Sequence, residues 1–239
     1  MGLCLATLAN RKFRSSLADG SKGVHFLMAT IDIGDLWHSE DAWAWQEALR
    51  RYWNYVRRTH VGLERALECL DLRRIREFTP LEWYEFLRDE YFRWKYTAPN
   101  RYATTTRQLR RYLDEGCLEQ LDRVRQQLVE LPLGDLRRAL VAAREIRGLG
   151  TAGASGLLAL MHPNVFATVD QFVVKALAQV RSLPEALALT KMHPESLSID
   201  NAIVLIGIMQ RQAAALNHRF CSDFWTPRKV DQVLWTYGR

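Results

Sequence analysis

The sequence predicts an all-α fold, and three observations carry the prediction. Apolar residues recur at three- and four-residue intervals from Ser39 onward; no alternating run is long enough to make a sheet; and helix start and stop residues bracket the apolar runs. With 48% hydrophobic residues and eight tryptophans among 239 residues, the chain can fill the core of one large domain or of two small interlocked ones.

Trp43, Trp45, Leu49, Tyr52, Trp53 and Val56 mark a first helix, and Leu63, Ala66 and Leu70 mark a second after a break at Thr59 to Gly62. Thr79 precedes Pro80 and Glu82, a capping box with proline at the first helical position, so a helix is predicted from Pro80 to Tyr96. Further helices are predicted from Tyr102 to Glu115, closed by Gly116, from Leu118 to Glu130, and from Gly134 or Asp135 to Ile146. Then come Ala154 to Met161, Val169 to Arg181, Leu183 to Leu189, and a long apolar helix from Ile199 to Leu216. Thr226 caps a last helix that opens with Pro227.

No internal repeat, low-complexity tract or long linker interrupts this pattern, so residues 30–239 read as one all-α domain. Residues 1–29, rich in Ser, Gly and Lys up to Gly23, read as a loose tail or an overextended start ahead of Met28. They lack the sustained apolar run of a secretory signal or membrane anchor, and the apolar stretch Ile203 to Met209 is too short to span a bilayer. The expectation is a soluble, cytoplasmic monomer with no membrane partner.

A net charge of +6 suits a polyanionic partner, although so modest an excess also serves solubility. Only six lysines occur, so nearly all the positive charge is arginine, whose planar fork suits phosphates and base edges. Few lysines also means few amine nucleophiles. Cys4, Cys69, Cys117 and Cys221 lie far apart, and His38, His60, His162, His193 and His218 show no ligand spacing, so neither metal nor cofactor is expected.

The informative segment runs from Arg144 to Leu177. A helix ends at Ile146, and Gly148 and Gly150 flank Leu149 before a small-residue run of Thr151, Ala152, Gly153, Ala154, Ser155 and Gly156. The two glycines permit a tight turn and leave successive amides pointing outward beside a helix N-terminus, which favours an anion such as a DNA phosphate. Taken alone, the glycines could simply terminate a helix. The small residues after them allow two helices to cross closely, with Leu149 filling the space between them. Further on, Val169 and Asp170 open a helix, where a lone aspartate ordinarily serves the helix dipole.

This run resembles the helix-hairpin-helix DNA glycosylase superfamily, especially its endonuclease III branch, in which a Leu-Pro-Gly-Val-Gly hairpin is followed by a Val-Asp pair opening a helix. Gly148, Leu149 and Gly150 match the hairpin, which spans about residues 139–162; Ala154 matches its alanine, and Val169 and Asp170 match the pair. The resemblance implies double-stranded DNA as partner, Gly148 through Gly153 as the DNA-anchoring turn, and Asp170 as the essential carboxylate. A carboxylate there would stabilise the oxocarbenium character that develops as an N-glycosidic bond breaks.

The departures are informative. Members that also cut the strand carry a lysine where this chain has Ala152, so the resemblance implies an enzyme that uses water, unless another lysine reaches the sugar. Gln171 and Phe172 stand where relatives often have Thr-His, and the iron–sulfur cysteine cluster is absent. A different pocket is implied.

Aromatic and basic residues concentrate in two further places. Tyr91 to Tyr96 includes Trp94 and Lys95, which could stack a flipped base and hold phosphates, or could be core and solvated face. A desolvated Lys95 could also act as a nucleophile. Phe224 to Lys229 includes Trp225, a second candidate for the pocket, or else part of a terminal helix docked on the core. The function read from the sequence is therefore excision of a damaged or mismatched base. Two rivals stand beside it, a non-catalytic DNA-binding module and a protein-interaction domain; a base-sized pocket beside Asp170 favours the enzyme, and a filled one the binder.

Overall fold

Helices make up all the regular secondary structure of residues 31–239, the part described by this computed structural model, with no strand among the described residues. The expectation of a loose tail over residues 1–29 lies outside them.

In chain order the helices are α1 (Ile33–His38), α2 (Ala42–Tyr55), α3 (Val61–Glu68), α4 (Leu72–Glu77) and α5 (Pro80–Glu85). A π-helical turn over Phe86–Tyr91 then leads without a break into α6 (Phe92–Lys95). There follow α7 (Pro99–Asp114), α8 (Leu118–Val129), α9 (Leu136–Arg144), α10 (Thr151–Met161), α11 (Gln171–Leu177), α12 (Ala186–Thr190), α13 (Ile199–Arg219) and α14 (Pro227–Gly238). None is long and apolar enough to cross a membrane.

The caps explain most boundaries. Side chains of Asp32, Asp41, Asp71, Thr79, Asp135, Asp170, Ser198 and Thr226 each accept from backbone amides of the first turn, satisfying donors that the helix leaves orphaned. The capping box at Thr79 and Glu82 forms as expected; a second one, Ser198 with Asn201, fixes the start of α13.

Some boundaries differ from expectation for identifiable reasons. Helix α10 starts at Thr151 rather than Ala154, because Gly150 is extended and its carbonyl already accepts from Ala154 N at 2.8 Å. Asp170 is likewise extended and caps α11 from outside, so α11 starts at Gln171, not Val169. Helices α1 and α4 escape sequence periodicity because six residues are too few to show a stripe.

Helices α2, α11 and α13 pack against α14, while α4 and α5 pack against α8. Helix α9 touches both α8 and α13 and pairs with α10, which in turn meets α13 and α14. Of the residues in α10, every one except Ala152 is buried, which fits its small and mostly apolar residues and the absence of any charge. Trp45, Trp83, Tyr84, Tyr91, Phe92 and Phe166 are the largest fully buried side chains, each contributing about 1.5–3 kcal/mol or more by leaving water. The early helices join the late ones through Gln212 Nε2, which donates to Trp37 O at 3.2 Å, and Arg219 Nη1, which donates to Ser39 O at 2.5 Å.

Candidate functional site

Between α9 and α10 the chain reverses in a few residues. Leu149 N donates to Ile146 O at 3.0 Å, and Gly148 takes φ +95°, a conformation that side chains rarely adopt. A Cβ at Gly148 would also fall 2.7 Å from Thr105 O, so glycine is required twice over. Three tyrosines hold the turn. Tyr112 Oη accepts from Arg147 N at 3.3 Å and donates to Glu145 O at 3.0 Å, Tyr96 Oη donates to Gly148 O at 3.2 Å, and Tyr91 Oη donates to Gly153 O.

The amides of Gly150, Thr151, Ala152 and Gly153 find no acceptor among the described residues, as the start of a helix dictates. The expected fan of amides from Gly148 through Gly153 is narrower than the sequence implied. Leu149 spends its amide on the turn and its side chain is only 6% exposed, lying against Gly153, while Thr151 and Gly153 are buried. Gly150 is exposed, and Gly148 and Ala152 are half-buried, so these three form the open part of the turn.

Asp170 is placed by the buried segment that precedes it. Val169 N donates to Ser155 Oγ of α10 at 3.0 Å, and Thr168 N donates to Asp231 Oδ2 of α14 at 2.6 Å. These bonds set Asp170 at the start of α11, where its Oδ1 accepts from Phe172 N at 2.9 Å and Val173 N at 3.2 Å. Its second oxygen has no hydrogen-bond partner among the described residues, and the side chain is half-buried in a cleft wall.

That cleft has a volume of about 850 Å³ and is lined by Gly150, Thr151, Ala152, Asp170, Gln171 and Lys95, with the aromatic rings of Tyr52, Trp94, Phe172 and Trp235 around them. Trp235 meets Tyr52 edge-on with ring centroids 5.5 Å apart and Phe172 at 5.8 Å. Trp94 is fixed by its indole N–H, which donates to Glu64 Oε2 at 2.6 Å. Glu64 Oε1 accepts from Tyr52 Oη at 2.6 Å and from Arg228 Nη2 at 3.2 Å, and Arg228 Nη1 also donates to Asp231. The guanidinium lies 5.3 Å from the Trp94 ring centre and 5.9 Å from that of Tyr52. One buried guanidinium thus serves two carboxylates, burial pushes the Asp231 carboxyl up to about 7 against the pull of Arg228, and breaking one partner away would leave the rest unpaired at high cost.

Lys95 stands apart from this network. It is half-buried, its Nζ lies 5.8 Å from the Trp94 ring centre, and it forms no ion pair among the described residues. Burial holds its pKa below the ordinary lysine value against opposing pulls from Asp170, Asp231 and Glu64.

Of the residues singled out in sequence, the fold brings Gly150, Thr151, Ala152, Trp94, Lys95, Asp170 and Gln171 to one cleft. Trp225 is not among them. It is 4% exposed, packs edge-on against Trp45 with centroids 5.5 Å apart, and its backbone N–H donates to Asn217 Oδ1, so it belongs to the core. Tyr52, Glu64, Arg228 and Asp231 escaped sequence reasoning as site residues. The available signal was the i, i+3 pair Arg228 and Asp231 on a helix that is otherwise apolar where it packs.

Exposed Arg57, Arg101, Arg144 and Arg239 stand at the cleft margin without an ion-pair partner among the described residues. By contrast, Arg147 beside the turn is neutralised by Glu115 at 2.7 Å and stacks on Tyr112 at 4.6 Å. Comparison with protein-family models, curated proteins and solved structures finds no match.

Proposed function

We propose that this protein is a DNA glycosylase of helix-hairpin-helix type, in which the turn from Ile146 to Gly150 with α9 and α10 is the hairpin and Asp170 is the key carboxylate. The observation that carries this reading is the cleft. It opens beside Asp170 and the turn, and its volume of about 850 Å³ falls within the roughly 300–1,000 Å³ typical of small-molecule sites. A base flipped out of the duplex would fit it, whereas a purely DNA-binding hairpin has no need of an open cleft at that place.

On this reading the unbonded amides at the start of α10 take a backbone phosphate, and the margin arginines hold the strand by neutralising further phosphates. The nucleotide turns into the cleft, where Trp94, Phe172 and Trp235 offer faces and edges to the base. As the glycosidic bond lengthens, positive charge develops on the sugar. Asp170 is prepared for it, since one oxygen is anchored to two amides and the other is left for the substrate. Ala152 gives the turn no amine, so any amine acting at the sugar must come from another part of the cleft wall.

The test is incubation with duplexes carrying single oxidised, alkylated or mismatched bases, followed by alkali to reveal abasic sites. Release of a base from any of them, lost in Asp170→Asn, supports the proposal. Tight duplex binding with no release from the whole panel favours the non-catalytic DNA-binding module.

A further inference from the structure

The small residues of α10 do more than allow it to approach α9. Ala152 and Gly156 are one turn apart on the same face of α10, and at Gly156 that face lies against Tyr91, Trp94 and Lys95. A Cβ on Gly156 would fall 2.9 Å from Tyr91 Oη and 3.4 Å from both Lys95 Cδ and Trp94 Cζ3, so the stem of Lys95 runs beside the space that glycine leaves to the tyrosine hydroxyl. Lys95 and Ala152 both line the cleft, together with Asp170. The cleft wall that lacks an amine at Ala152 therefore holds one on α6.

We infer that Lys95 is the amine nucleophile of this cleft, so that the enzyme opens the sugar through an imine and cuts the strand after releasing the base. The inference rests on reading the cleft as a base-excision site. Arg228, the buried cation of the wall, is tied to Glu64 and Asp231 and has no unshared pair to donate, whereas half-buried Lys95 is committed to no carboxylate among the described residues. Burial beside Trp94 depresses the pKa of its ammonium and so favours the neutral amine that attack requires.

The step balances without any further reagent. The Nζ lone pair forms a bond to C1′, and the C1′–N bond breaks with its electron pair leaving on the base, which takes up a proton. Nζ then loses a proton, the C1′–O4′ bond breaks with its electrons and a proton going to O4′, and C1′ and Nζ share a protonated imine. Loss of a proton from C2′ forms the C2′–C3′ double bond and expels the 3′-phosphate with the C3′–O electron pair. Water finally adds to C1′ and returns the free amine.

The experiment uses the full chain and a duplex with one preformed abasic site, which removes any dependence on the lesion. Borohydride is added, covalent protein–DNA adduct is read on a denaturing gel, and the adducted peptide is identified by mass. The expected result is an adduct on Lys95 whose yield falls at least a hundredfold in both Lys95→Ala and Lys95→Arg, the second retaining the charge without the nucleophile. No adduct, or an adduct on Lys175, Lys191, Lys229 or any other amine, overturns the inference, and the mapped wild-type peptide decides the matter even if a variant fails to fold. Base release without an adduct overturns the role of Lys95 and leaves base excision standing. An adduct on Lys95 with no base released from any lesion supports Lys95 and overturns base excision instead.

Discussion

The Tyr96 hydroxyl reaches across from the end of α6 to donate to the Gly148 carbonyl at 3.2 Å, and a Cβ on Gly153 would fall 2.5 Å from that same hydroxyl. The turn is thus held from outside by an aromatic that only glycines can accommodate. Gly148→Ala should destabilise the protein by about 1–3 kcal/mol, combining a disfavoured φ with a Cβ pressed against Thr105 O, and the lowered midpoint of urea unfolding would show it. Tyr96→Phe removes one hydrogen bond of about 0.5–1.5 kcal/mol and should weaken duplex binding a few-fold while the protein remains folded.

Asp170 holds the helix with one oxygen and faces the cleft with a side chain whose other oxygen is unbonded, and the two duties separate by substitution. Asparagine caps a helix about as well as aspartate, so Asp170→Asn should keep the melting temperature within a few degrees of wild type. It removes the charge, so base release in single turnover should fall by about two orders of magnitude or more, while duplex affinity holds or increases. Asp170→Ala should lose about 1 kcal/mol of stability as well. An Asp170→Asn protein with undiminished release would refute the assignment.

Arg101 and Arg144 at the cleft margin are exposed and make no ion pair among the described residues, so each is available to a phosphate. Replacing either with alanine should reduce the slope of log affinity against log salt by about 1 while weakening binding equally for all sequences. Fluorescence titrations of a labelled duplex at several salt concentrations give the slope. Replacing Arg147, already neutralised by Glu115, should change it much less.

The rate of adduct formation on abasic DNA should rise with pH and level off below the ordinary lysine value of 10.5, because burial depresses the Lys95 pKa. The charged groups that act on Lys95 are Asp170 at the start of α11, Arg228 and Asp231 on α14, and Glu64 on α3. Glu64 and Asp231 both accept from Arg228, which leaves Asp170 as the separate carboxylate. Its charge raises the Lys95 pKa, so Asp170→Asn should shift the profile to lower pH even as it changes the plateau. A profile that shifts to higher pH contradicts this arrangement.

The helical character was legible because amphipathic stripes and caps are local signals. Thr79 with Glu82 and Thr226 with Pro227 mark starts that depend on nothing distant. The turn at Gly148 was legible for a similar reason, since a left-handed φ is a local demand that glycine meets most readily. The rest of the cleft was not. Glu64, Arg228 and Asp231 meet across residues far apart in sequence, and each alone reads as an ordinary surface charge on an amphipathic helix. Trp225 misled because composition cannot tell a tryptophan beside Trp45 from one beside an opening. The aromatic neighbours of Lys95 are legible in the sequence, but its place beside Gly156 and in one cleft with Ala152 depends on tertiary packing.

The π-helical turn at Phe86–Tyr91 has the effect of a phase shifter. One extra residue in a helix turns everything after it by about 100° relative to everything before it. Before the turn, Trp83 faces the interior from a helix that packs against α8; after it, Trp94 and Lys95 face the cleft. Deleting Asp89, exposed and bonded only to its neighbour Arg88, would straighten the segment into ordinary α-helix. The two ends could then no longer both meet their partners, and if α5 kept its seat, Trp94 and Lys95 would swing out of the cleft together. A residue that touches neither core nor cleft therefore sets which way both of them point.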